Sequence, residues 1–139
     1  MKIFPIESLV PHAKPMLLLD SMTDMDGESF ESEVVIRADS EFCDGAQIGA
    51  WVGIEYMAQT VAAYSGHQKR IQGQEPRVGL LLGALRYEIS LKVFPAGGTI
   101  EIEAKLHFLD ESGLSAFRCE IRHQGRPVAC AMLKTFEPL

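Results

Sequence analysis

Between Gly45 and Gly66 the chain reads GAQIGAWVGIEYMAQTVAAYSG, and Glu55 is the only charged side chain in it. A carboxyl group on an almost wholly apolar segment loses hydration unless something compensates it. Its pKa then rises, and the group can give or take a proton near neutrality, as a general acid must. A carboxylate that reaches a helix end, a dimer contact or solvent would do no chemistry, and the pattern alone leaves both readings open. Gln59 follows one helical turn later, placed to hydrogen-bond Glu55 or a second chain. Trp51 and Tyr56 either line a pocket or pack in the core. Of the four histidines, His12 stands in a Pro-His loop that leads through an apolar run to Asp20. Asp20 could orient His12, although an aspartate in such a place more often accepts backbone amides. His67 after the apolar segment, His107 on the polar face of a strand and His123 beside a Gln-Gly-Arg turn read as surface residues.

These residues need elements to hold them. The segment around Glu55 could be mistaken for a membrane span, but a carboxylate in mid-span costs about 2.5–3.5 kcal/mol on insertion scales and Gln47 and Gln59 add to it. It reads instead as a helix from about Ala50 to Ser65, buried on most sides, with Gly66 as its C-cap and Lys69 and Arg70 following. Beyond it the chain is strand-like: Val78 to Ile89, Thr99 to Leu109, Leu114 to His123 and Val128 to Phe136, the last three forming an antiparallel meander. Alternation is clearest where Ile100, Ile102, Ala104, Leu106 and Phe108 share one face and Glu101, Glu103, Lys105 and His107 the other. Ahead of the helix, Met16 to Met25 and Ser29 to Arg37 read as a hairpin turned at Asp26-Gly27, and a short helix spans Ile6 to Val10. The fold class is α+β, an antiparallel sheet wrapped around one long central helix.

Composition narrows the functions. The 139 residues suit a single domain, 1–139, and 13 basic against 19 acidic side chains give a net charge of −6, which excludes a general nucleic-acid binder. An apolar fraction of 47% with 23% charged residues describes a folded globule. Cys43, Cys119 and Cys130 are too few and too scattered for a disulfide framework or a structural zinc site, and read as reduced thiols of a cytoplasmic protein. Pro5 and Glu7 interrupt any signal-peptide core. Neither a metal nor an organic cofactor is indicated.

Three stretches, in order, resemble the hotdog-fold dehydratases of the FabA/FabZ type, which act on 3-hydroxyacyl groups held by acyl carrier protein. LVPHAKPMLLLD, from Leu9 to Asp20, is similar to the family's LPHRxPFLLVD opening. GIEYMAQ, from Gly53 to Gln59, is similar to its IEAMAQ helix, and LLLGALRYEISLKVFPAGGTIEIEAKL to its paired strands. Within that superfamily the chain looks most like the ApeP-type subunit of aryl polyene biosynthesis. The resemblance implies a hotdog fold, a dimer with residues from both chains at the site, Glu55 as the catalytic carboxylate, and backbone amides around Gly49 and Ala50 as donors to the thioester oxygen. Elimination of water needs a base for the C2 proton, donors for the enolate-like oxygen and an acid for the departing hydroxyl. The family takes its base from a GHFPG histidine. Here the loop reads FCDGAQIGAW, with Ala46 in the histidine's place. Either another histidine substitutes, His12 being the best placed although its ordinary role in the family is to anchor its loop by a hydrogen bond, or the partner subunit supplies the base, or this chain is not catalytic by itself. Trp51 and Gln59 are expected beside the substrate.

Three functions follow from that departure. One is a dehydratase, or the subunit of one; the second is a hotdog thioesterase, in which the helical carboxylate activates water or attacks the thioester. The third is a non-catalytic partner completing a heterodimer with a second hotdog protein. The expected partners are an acyl carrier protein bearing the substrate and a second hotdog chain, alike or different. Lys14, Lys69, Arg70, Arg77 and Arg86 either receive an acidic carrier protein or are simply solvated.

Overall fold

The computed structural model describes residues 4–77 and 79–137. Strands form where alternating residues can bury one face: β1 (Ser21–Asp26), β2 (Ser29–Val35), the short β3 (Gln47–Gly49), β4 (Leu80–Ile89), β5 (Val93–Pro95), β6 (Thr99–Leu109), β7 (Leu114–His123) and β8 (Arg126–Phe136). A 3-10 turn at Ala50–Val52 leads into the helix α1, Gly53–Arg70. Six strands make one antiparallel sheet in the order β1-β2-β6-β7-β8-β4, and β3 pairs with β5 in a second, two-stranded sheet. The β6-β7-β8 meander is present with long, nearly continuous register. The first hairpin turns where Gly27 takes φ +57°, a conformation open to glycine.

The helix α1 packs against β2, β4, β6, β7 and β8, so the sheet wraps around it. Every residue of α1 is buried or half-buried. Phe30, Met57, Ile102, Ala104, Cys119, Ile121 and Leu133 are buried in one continuous core. Burial pushes the Cys119 thiol up to about 12, so it stays protonated and inert.

Several boundaries differ from the sequence reading, each for a physical reason. The helix does not stop at Gly66 but continues to Arg70. Gly66 is needed inside it, because a Cβ there would lie 1.8 Å from the Leu9 carbonyl oxygen. With the helix continued, His67 falls on its inward face, buried between Phe4 and Phe30 in edge-to-face contacts with ring centroids 5.4 and 6.1 Å away. It is not a surface residue. The apolar run from Met16 to Asp20 is not strand either: β1 begins at Ser21, and the run instead covers α1, with Leu17 and Leu19 buried. The first helix is a single 3-10 turn, Ile6–Ser8. The β3–β5 pair was not expected, since three-residue strands carry too little alternation to read. Val78, the expected start of β4, lies outside the described residues.

Candidate active site

The site is assembled where the covering segment, residues 9–20, crosses α1. Gln59 makes the junction. It has no exposed surface, accepts the Leu18 N–H at 2.9 Å and donates to the Met16 carbonyl at 2.8 Å and to Glu55 Oε1 at 2.9 Å. The segment therefore pairs its backbone with a side chain where a strand would use a neighbouring strand. This places the loop carrying His12 over the start of α1, with His12 Nε2 3.9 Å from Glu55 Oε1. That is one step beyond hydrogen-bond reach. His12 Nδ1 is buried and without a hydrogen-bond partner among the described residues, and Nε2 is the nitrogen turned to the carboxylate.

Glu55, Ala58, Ala62 and Ser65 share one face of α1 and form the floor of a cleft of about 150 Å³, walled by Leu80 and Phe136 among others. The helix side of the cleft is built from small residues, which leaves room for a chain-like ligand. His12 and Glu55 both line it. A larger groove, about 420 Å³, lies between β4 and β8 around Leu85, Arg118 and Met132, but neither His12 nor Glu55 borders it.

Three expectations change. The Glu55 side chain is 42% exposed, so the single chain leaves it only half-buried. The Ala50 amide is already committed to the Lys92 carbonyl, at 2.9 Å, and cannot also hold a substrate oxygen. In the 3-10 turn that follows, pairing begins with the amide of the third residue, Val52. The N–H of Trp51, four residues before Glu55, thus has no partner inside the turn among the described residues. Finally, the Trp51 indole stands outside the lining of the His12–Glu55 cleft: it is 66% exposed, stacks edge-to-face on Phe42, and folds back so that a Cβ on Gly49 would meet its Nε1 at 2.5 Å.

The remaining candidates divide clearly. Tyr56 is core, packed near Phe94, and burial holds its phenol well above the ordinary range. Asp20 accepts the Val35 N–H at 2.7 Å and faces Arg37 at 3.3 Å, so it organises backbone and does not orient His12. Arg70 donates to the Ser8 carbonyl at 2.9 Å and helps tie down the N-terminal segment. Among the described residues no group of three His, Cys, Asp or Glu side chains could hold a metal ion, and no helix is long and apolar enough to cross a membrane.

The sequence reading missed Tyr87. Its hydroxyl donates to the Ala50 carbonyl, and a Cβ on Gly53 would sit 2.2 Å from that hydroxyl. The only available signal was a tyrosine in an otherwise aliphatic strand facing a glycine at the helix start.

The chain superposes on a chain of the dehydratase heterocomplex ApeI:P from Xenorhabdus doucetiae with a TM-score of 0.90 at 25% identity, covering 99% of this chain and 93% of that one. A hypothetical thioesterase from Streptococcus pneumoniae, solved with coenzyme A, follows at TM-score 0.65 and 13% identity, covering 84% and 83% of the two chains. The PaaI protein of E. coli, from the phenylacetic acid degradation operon, gives 0.63 and 14%, covering 84% and 81%. At such identities the last two establish the fold alone. No curated protein sequence matches the chain. A sheet curled around one long helix defines a hotdog protein. Within that class the chain belongs to the ApeP-like dehydratase family, whose model matches residues 4–139.

Proposed function

We propose that this protein is the subunit of a dehydratase that removes water from 3-hydroxyacyl groups carried by acyl carrier protein, in synthesis of the aryl polyene type. The observation that carries the reading is the approach of His12 Nε2 to within 3.9 Å of Glu55 Oε1 where both line one cleft. His12 takes the C2 proton, Glu55 protonates the leaving C3 hydroxyl, and the Trp51 N–H receives the developing charge on the thioester oxygen. Atoms balance: the C2 proton goes to His12, the C3–O bond breaks, and water leaves with the proton of Glu55. A later proton transfer between the two groups restores both.

The functional unit in this reading is two hotdog chains. The sheet has two edges. On β1, Asp24 and Asp26 and an irregular register blunt pairing. On β4, Leu80, Leu81, Leu82, Leu85 and Ile89 are all exposed, an apolar edge that a soluble monomer would not keep. A second hotdog chain paired there would also cover Glu55, and the ApeI:P heterocomplex supports a partner different from this chain. The three free thiols fit a reducing, cytoplasmic setting.

The test is to purify the chain alone and with a second hotdog protein from the same organism, and to offer each a series of 3-hydroxyacyl carrier proteins from 3-hydroxybutyryl upward. Mass spectrometry of the carrier arm should show loss of water in the mixture. Glu55→Gln and His12→Ala should each lower kcat by about 10²-fold or more. A free acid and released thiol in place of the enoyl product would establish the thioesterase, in which Glu55 would activate water or attack the thioester. Activity undiminished by both substitutions would leave this chain a non-catalytic partner.

A further inference from the structure

The Ala50 residue is gripped at both of its polar groups by one strip of the sheet. Its N–H donates to the Lys92 carbonyl at 2.9 Å, and its carbonyl accepts the Tyr87 hydroxyl and the Gly53 N–H. Tyr87 belongs to β4 and Lys92 to the link between β4 and β5. The Ala50 carbonyl and the Trp51 N–H are two ends of the same planar peptide unit. A donor on that oxygen draws electron density from the nitrogen, so the N–H becomes a stronger donor in turn.

We propose that Tyr87 is a positioning residue for dehydration, whose hydroxyl fixes and polarises the Ala50–Trp51 peptide so that the Trp51 N–H can hold the thioester oxygen. This rests on the dehydratase reading above and adds to it a residue from outside the helix. Two further features support it. The helix starts with Gly53 where any side chain would collide with the phenol oxygen, 2.2 Å from the added Cβ, and with Ile121 at 2.9 Å; space has been kept for Tyr87. Burial also pushes the phenol up to about 12, which keeps it a neutral donor throughout the range in which an enzyme works. The same strand bears the leucine edge proposed for the partner, so partner docking and the oxyanion donor are set by a single element.

The experiment uses the complete two-chain complex and Tyr87→Phe, which removes the hydroxyl alone. Losing one polarising hydrogen bond should lower kcat on 3-hydroxybutyryl carrier protein about tenfold, with KM unchanged and the complex eluting at its native mass. In the isotope-labelled protein the Trp51 amide proton should move upfield relative to wild type, a readout that needs no catalysis. Gly53→Ala, which keeps Tyr87 but displaces its hydroxyl, should reproduce both changes, and the two losses should fail to add in the double variant. An unmoved Trp51 resonance, or a wild-type kcat in Tyr87→Phe, overturns the proposal. Absence of dehydration by the wild-type complex would overturn the dehydratase reading instead, while the amide shift would still report whether the peptide is polarised. If Tyr87→Phe alone fails to fold, Gly53→Ala decides by the same two measurements.

Discussion

Gln59 spends a fully buried amide on Leu18, Met16 and Glu55 together. Gln59→Ala would leave two backbone groups of the covering segment unpaired, each lost bond in a buried setting costing about 1–3 kcal/mol. The expected result is a fall in the urea midpoint with an unchanged slope, and a drop in kcat because Glu55 loses the partner that orients it. A variant as stable as wild type would show that water replaces the side chain. The tyrosines make a second prediction. All three, Tyr56, Tyr64 and Tyr87, are held above the ordinary phenol value, with desolvation the largest cause. A folded-state pKa raised above the unfolded value means that the stability each contributes is whole below about pH 10 and is lost as pH rises, through about 12 for Tyr87. Phenolate absorbance in the native protein should therefore lag behind that of free tyrosine, and unfolding should become easier over the same interval. Phenolate appearing near pH 10 in the still-folded protein would contradict the burial of these rings. At this scale the sequence exposed Glu55 because one charge stood alone among apolar residues. It could not expose Tyr87, since nothing in a β-strand pattern tells which carbonyl a hydroxyl will meet.

The element that sets the site is the covering segment, and Gly66 is where it sits closest to α1. An alanine there would place its Cβ 1.8 Å from the Leu9 carbonyl oxygen, and backbone on both sides leaves little to yield. Overpacking of this kind costs about 1–3 kcal/mol, occasionally more. Gly66→Ala, although a better helix former, should lower Tm and also reduce activity, because the same displacement lifts His12 away from Glu55; differential scanning calorimetry and the dehydration assay read the two effects. A raised Tm would mean that Gly66 was only a flexible point in the helix. The glycine also explains why the helix end was misread. Followed by His67, Lys69 and Arg70 it has the composition of a C-cap, yet its φ is not among the positive ones, which fall at Gly27, Gly45, Gly73, Gly97, Gly113 and Gly125. Composition reports that a position must be glycine; it does not report whether the reason is a turn or a close neighbour.

Across the whole molecule the two sheet edges differ in kind, and that difference predicts assembly. Leu82, 56% exposed on β4, should tolerate Leu82→Lys in an isolated chain, since no core contact is lost. A charge in an apolar edge pairing is a strong deterrent, so the variant should keep its circular dichroism spectrum and Tm while native mass spectrometry shows the two-chain species lost, with activity falling in proportion. A complex that survives the substitution would move the interface elsewhere. The sequence by itself determined the layout: period-two alternation made β6, β7 and β8 strands, the long apolar run made the helix they surround, and the lone glutamate within it marked the candidate site. These are local properties, written in the spacing of neighbouring residues. Only the tertiary structure decided that the Ala50 amide is already taken by Lys92, that Trp51 points outward while His67 points in, and that His12 comes to Glu55 through a glutamine. Most of those depend on what a residue meets across a gap of tens of positions, and no periodicity in a single chain encodes which partner arrives there.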